Sequence, residues 1–335
     1  MPDRAQLHKN LAVLALLAVL PVRAVFAQTQ GPQTPPSTAE ELLTKTVGFI
    51  SVPYKDGTAT HSVSGTCFFV FVPDERLRKG QGFFYIVTNR HVATADGVDP
   101  NALLPEVFIR INLASPENGT AIDQGPVPLM GQTHWYFPSD KTIDLAVLPA
   151  APSKPGALDI KTIPTSLFAT TDVMKSDQIG VGSSVFFIGF FFQFPGTTRV
   201  DPIYRRGVIA MMPADRIEMS DGKNPTSVRL EHLYLADAHA FHGNSGSPLF
   251  APVSGFRNGG LRMMGGFPYL LVGVVNGFIP EPNNIRVSGA ATFESSNERN
   301  SGILTFVPAQ ELKDLLDSPD LQKLRDEIVA SQHKP

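Results

Sequence analysis

From Val47 onward the chain is cut into short apolar runs by glycine and proline. This punctuation limits its fold more than any other feature. The 335 residues include 28 glycines, 29 prolines and 23 phenylalanines. Short runs rich in Val, Ile, Phe and Tyr between turn-forming residues read as strands. The first half offers Val47–Val52, Ser64–Val72, Phe83–Thr88, Glu106–Leu113 and Thr142–Leu148. The second offers Ser184–Phe191, Arg205–Met212, Ser227–Leu235, Leu270–Phe278 and Gly302–Val307. Val107 to Leu113 alternates in part, as a half-buried strand does, and Asn118-Gly119 is a turn signal beside it. Ala39 to Thr44 fits one helical turn. The period changes at the end, where Leu312, Leu315, Leu316, Leu321, Leu324 and Ile328 recur at three and four. Pro308 opens that segment and Pro319 interrupts it, which predicts a broken amphipathic C-terminal helix. The class is therefore all-β, a sandwich or barrel architecture closed by a helix. Ala150 to Thr165, holding Pro152, Pro155, Gly156 and Pro164, is the expected linker between two halves.

The first residues read as a targeting segment. Arg4 and Lys9 precede the apolar run Leu11 to Leu20, Pro21 breaks it, and Val25-Phe26-Ala27 suits a signal peptidase. Residues 1–27 are expected to be a signal peptide. The alternative, an uncleaved anchor, is too short to cross a hydrocarbon core of about 30 Å. An exported, periplasmic or extracellular protein follows, with no membrane insertion after cleavage. Residues 28–43 are expected to be a flexible lead-in, polar and proline-rich from Gln28 to Ser37. Cys67 is the only cysteine, so no internal disulfide is possible and core packing must hold the fold. Within its strand-like run Cys67 reads as a small buried hydrophobe. A net charge of −3 gives no reason to expect a nucleic-acid partner.

Three segments carry chemistry. In Ala240 to Phe250 (AFHGNSGSPLF), glycines flank Ser245, which allows a tight turn and two N–H groups aimed at one spot. The amides of Gly243 and Ser245 could hold an oxyanion, and Ser245 could serve as a nucleophile given a base. The same composition also makes an ordinary turn. Tyr85 to Ala93 (YIVTNRHVA) runs a strand straight into His91, placing an imidazole at a rim. Thr142 to Leu148 (TIDLAVL) puts Asp144 at the head of a short strand, as a turn residue or as partner to a histidine N–H. Each is explicable as structure; the ordered set His, Asp, Ser is harder to dismiss.

TNRHVA, DLAVL and GNSGSPLF resemble the motifs of trypsin-like serine peptidases of the chymotrypsin fold, in the bacterial branch of the HtrA/Deg proteases and glutamyl endopeptidases. Arg206 to Ile209, Asp237-Ala238, Gly273 to Gly277 and Gly302 to Pro308 agree, and the resemblance covers roughly residues 45 to 318. It implies two packed antiparallel six-stranded barrels, about 44–155 and 166–308, within a protease domain of 44–308, followed by a helix over 309–335. It implies a serine endopeptidase acting on proteins or peptides, with no cofactor. His91 would be the general base, Asp144 its orienting partner, Ser245 the nucleophile, and Gly243 and Ser245 the oxyanion donors. The chain beyond Pro308 is too short for the peptide-binding PDZ module HtrA proteins usually append. Rival readings are an esterase or amidase with the same triad, and a non-catalytic binding protein on a protease fold.

By the same resemblance the substrate pocket has two walls: His239, Ala240, Phe241 and His242 on one side, and Val274, Val275, Asn276 and Gly277 on the other. No carboxylate stands where a tryptic enzyme needs one, so basic residues should be disfavoured. The walls favour a medium-sized aliphatic residue, with acidic preference through His239 as runner-up. His61, His134 and His232 read as structural, and no spacing supports a metal site. The aromatic run Phe190 to Phe194 and the insertion Phe256 to Tyr269 either shape the cleft or fill space. Asn118-Gly119-Thr120 matches a glycosylation acceptor.

Overall fold

The computed structural model describes residues 38–332 except 118–119, 153–155, 195, 222–223, 254, 258–259, 263–267 and 285–295. The expected signal peptide and most of the lead-in, and the Asn118-Gly119 turn, lie outside the described residues. A short helix, α1 (Ala39–Thr44), opens the body, with Thr38 and Glu41 forming a capping box.

The first half is one seven-stranded sheet. Its strands are β1 (Val47–Asp56), β2 (Ala59–Pro73), β3 (Gly82–Thr88), β4 (Glu106–Glu117), β5 (Thr120–Pro128), β6 (Ala146–Pro149) and β7 (Ile163–Pro164). They run in the order β5-β4-β1-β2-β3-β6, with β7 beside β2. Helix α2 (Arg90–Ala93) follows β3, and α3 (Thr171–Ser176) precedes the second half. That half closes as a barrel of six strands. Its members are β8 (Ser184–Gly189), β9 (Ile203–Met211), β12 (Tyr234–Asp237), β13 (Pro248–Pro252), β16 (Tyr269–Asn284) and β17 (Ser296–Pro308). Two hairpins stand outside it: β10 (Ile217–Asp221) with β11 (Asn224–Glu231), and β14 (Gly255–Arg257) with β15 (Gly260–Arg262). The expectation of a closed barrel is thus met in the second half, whereas the first is an open strand path among the described residues.

The strand readings hold with three instructive differences. Thr142–Leu148 is strand only from Ala146, because the preceding backbone bonds elsewhere. Asp140 accepts from the amide (2.9 Å) and hydroxyl (2.7 Å) of Thr142, and Asn89 Nδ2 donates to the Asp144 carbonyl at 2.9 Å. Ser227–Leu235 is split into β11 and β12, because His232 N leaves the ladder to donate to Thr142 O at 3.1 Å. β5, β7, β10, β13, β14 and β15 went unread; β5 pairs only β4, and an edge strand tolerates Pro126 and Pro128.

A single apolar cluster joins the halves. Phe68, Tyr85 and Val87 of the sheet meet Phe186, Ile188, Phe250 and Val274 of the barrel. The C-terminal helices α4 (Ala309–Leu316) and α5 (Pro319–Gln332) add Leu312, Leu315, Leu321 and Leu324, the periodic leucines. The break at Pro319 is bridged by Arg325, which is buried and donates to Leu316 O (2.8 Å) and Tyr85 Oη (3.1 Å). Such partners satisfy a carbonyl that the end of α4 leaves without an intrahelical bond. Cys67 is fully buried in the first-half core, and burial pushes its thiol pKa far up.

Candidate active site

β3 ends at Thr88, and Asn89 turns the chain into α2, which lifts His91 above the sheet. Asp144 meets it from the loop before β6. One carboxylate oxygen accepts the His91 amide at 2.9 Å and the other lies 2.6 Å from Nδ1. Both ends of the carboxylate are thus committed to one residue, which fixes the ring's plane and leaves Nε2 as the outward atom. The side chains are 28% and 13% exposed. Burial on its own disfavours the imidazolium, but the charge and hydrogen bond of Asp144, with Glu231 and Asp96 behind, hold the His91 pKa above its ordinary value. Burial likewise opposes the Asp144 carboxylate; the facing imidazole and the hydrogen bonds from His91 prevail, and its pKa lies below the ordinary value.

The serine loop is built from backbone. Asn244 is fully buried, takes the Phe241 amide on Oδ1 (2.7 Å) and donates to Phe190 O (2.8 Å). The amides of Asn244, Gly246 and Ser247 donate to Phe241, Val275 and Asn244 respectively. Among the described residues, those of Gly243 and Ser245 donate to nothing within the chain. Gly246 has φ +86°, and a methyl group there would collide with the carbonyl of Thr66 and the hydroxyl of Thr88. Both are sheet residues. Thr66 N donates to Ser245 O at 2.8 Å, Thr66 Oγ1 to Gly243 O at 2.7 Å, and Thr88 Oγ1 to Thr66 O at 2.8 Å. Gly65 fits between Ser245 O and the Val92 side chain, each 3.0 Å from where its Cβ would stand. The loop therefore docks on the strands that deliver His91. The serine hydroxyl itself donates to Asn276 O at 2.9 Å, not to the imidazole. That bond must be given up before a base at His91 can receive the proton.

Asn276 is the residue skipped where β16 slips register against β17, between Val275 and Gly277. Such a bulge re-aims a residue out of the ladder, which leaves its carbonyl for Ser245 and its side chain for Glu231, whose Oε2 accepts from Nδ2 at 2.8 Å. Of the other expected pocket residues, Val274, Val275 and Ala240 are fully buried in the cores, so they back the walls rather than line them. His239 is exposed with its ring against Gly302. Asn300 Nδ2 holds Ala240 O at 2.6 Å. Phe241 lies under the Arg205 guanidinium at 4.6 Å and edge-on to Phe191 at 5.7 Å. His242 meets Phe278 edge-on at 5.8 Å across the space beside Gly277. In the aromatic run Phe190 is core, while Phe192 and Phe194 are 55% and 72% exposed.

Sequence reasoning missed Thr66, Thr88 and Glu231. The two threonines sit in strands where a β-branched residue needs no further explanation. Glu231 sits in what read as the middle of a strand. An acid inside a strand-like run was the one available signal.

No protein-family model matches the sequence, and no curated protein matches it. Among solved structures, the active form of the Rv3671c protease from M. tuberculosis aligns at 16% identity and a TM-score of 0.41, covering 88% of this chain and 93% of that one. The HtrA-type protease AlgW, solved with a decapeptide, aligns at 16% identity and a TM-score of 0.41, covering 83% of this chain and 66% of that one. At this level neither likeness assigns a family to the chain or a role to any residue.

Proposed function

We propose that this chain is a serine endopeptidase of the chymotrypsin-like, two-barrel kind, with residues 44–308 as its catalytic body and residues 1–27 as an export signal. One observation carries the reading: Asp144 grips His91 through both amide and ring, and the loop docked on the same strands leaves the amides of Gly243 and half-exposed Ser245 without an acceptor among the described residues. In this reading His91 Nε2 takes the proton from Ser245 Oγ as the oxygen attacks the peptide carbonyl. The developing oxyanion is met by the Gly243 and Ser245 amides, and Asp144 stabilises the imidazolium. His91 then returns the proton to the leaving amine, and water, activated by the same base, releases the acyl group. Protein or peptide substrates would lie between the walls at Phe241–His242 and Gly277–Phe278. Those residues offer aromatic surface and no carboxylate, which supports discrimination against Lys and Arg at the cleaved position.

The direct test is labelling with a serine-directed organophosphonate followed by mapping of the adduct, alongside casein hydrolysis. The expected result is modification of Ser245 and cleavage of casein. Labelling elsewhere would overturn the nucleophile, and turnover of activated esters without casein cleavage would replace the peptidase with an esterase.

A further inference from the structure

Glu231 ends β11 at the corner where the chain turns toward β12, and it is 7% exposed. A carboxylate so buried needs partners. Oε2 accepts from Asn276 Nδ2 at 2.8 Å, and Oε1 lies 3.5 Å from Arg229 Nε. Arg229 also pairs with Asp96 at 2.8 Å, and Asp96 N donates to His91 O at 2.8 Å. The charged groups around this corner are Asp144 from the loop before β6, Asp96 after α2, Arg229 within β11 and His91 itself. With Arg90, beside His91 on α2 and facing Asp144, the acids still outnumber the guanidiniums. Burial first, then the Asp144 charge, push the Glu231 pKa up. On the other side Asn276 is a bulge residue without a ladder partner, yet its carbonyl receives the serine hydroxyl. Its position then depends on the side-chain bond to Glu231.

We propose that Glu231 is a positioning residue of the site, anchoring the Asn276 bulge that holds the Ser245 hydroxyl at rest and setting a second negative charge behind the Asp144–His91 pair. It acts through Asn276 and through the field at His91, and it touches no reacting atom. The two contributions separate by mutation. Glu231→Gln keeps an oxygen to accept from Asn276 Nδ2 and deletes the charge. Asn276→Ala keeps the acid in place and deletes the tether.

The role rests on the peptidase reading, so the first readout is independent of turnover: NMR titration of the His91 imidazole in Ser245→Ala protein, with and without Glu231→Gln. Loss of the negative charge should lower the His91 midpoint by about half a pH unit or more. In protein with Ser245 intact, the acid limb of kcat/KM should move down with it. Asn276→Ala should lower kcat at the plateau about tenfold, as a misplaced nucleophile does, while leaving the acid limb nearly in place. An unmoved His91 midpoint in Glu231→Gln would overturn the electrostatic part. A plateau kcat unchanged in Asn276→Ala would overturn the tether. If the midpoint moves but no variant and no wild type cleaves a peptide, the peptidase reading falls while the coupling of Glu231 to the pair stands.

Discussion

In the open sheet of the first half, His91 is held by side-chain charge, one carboxylate reaching both its amide and its ring. In the closed barrel of the second half, Ser245 is held without charge, by backbone amides, a left-handed glycine and the buried amide of Asn244. The difference follows from what each group has to do. An imidazole must keep one tautomer and stabilise a charge, so it needs a carboxylate partner. In the proposed reaction the serine must be free to rotate and attack, and donors aimed at an oxyanion must stay unspent, which backbone geometry does best. The two arrangements meet at Thr66, a sheet residue that bonds to the serine loop at two carbonyls.

That contrast can be broken at several points. Ser245→Ala or His91→Ala should each lower kcat on a peptide substrate by about 10⁴-fold or more, and the double variant should lose little further, since triad members act as a unit. Circular dichroism should show both folded, because neither side chain is part of a core cluster. Near wild-type turnover in either would end the triad assignment.

Gly246→Ala tests the backbone side. A residue forced to φ +86° against Thr66 and Thr88 should cost about 2 kcal/mol or more and disturb the loop. A melt matching wild type would show that the loop is not held as described. Thr66→Val is the gentler version. It keeps the shape but leaves the Gly243 carbonyl and the Phe190 amide without their hydroxyl partner. A loss of about 1–3 kcal/mol in denaturant titration is expected, with a fall in kcat larger than any change in KM.

The charge side is tested by pH. Because the His91 pKa is raised in the folded protein, and only neutral imidazole accepts a proton, activity should fall as pH drops through a midpoint above about 6.5. A kcat/KM profile flat between pH 5 and 8 would argue against a histidine base. The smallest expected effect is that of thiol alkylation. Cys67 is fully buried with its thiol pKa raised, so native protein should retain its activity and resist modification.

The sequence by itself determined most of the strands and the broken C-terminal helix, and it singled out His91, Asp144 and Ser245 as the candidate site. Those depend on local pattern. Strands read from apolar runs between turn residues, the helix from its spacing of leucines, and the three side chains from small ordered motifs. Thr66 and Glu231 gave no comparable sign, since their partners lie far along the chain, and Asn276 read as a pocket-wall residue with no hint that its carbonyl would take the serine hydroxyl. The split of Ser227–Leu235 was hidden for the same reason: it comes from one amide of His232 bonding across to Thr142. Only the tertiary structure decided that Val274 and Val275 face the cores, that the serine hydroxyl rests on Asn276, and that buried Glu231 accepts from the Asn276 side chain. Register and burial follow from which surfaces meet, and a bulge of one residue is enough to turn a pocket wall into a hydrogen-bond acceptor.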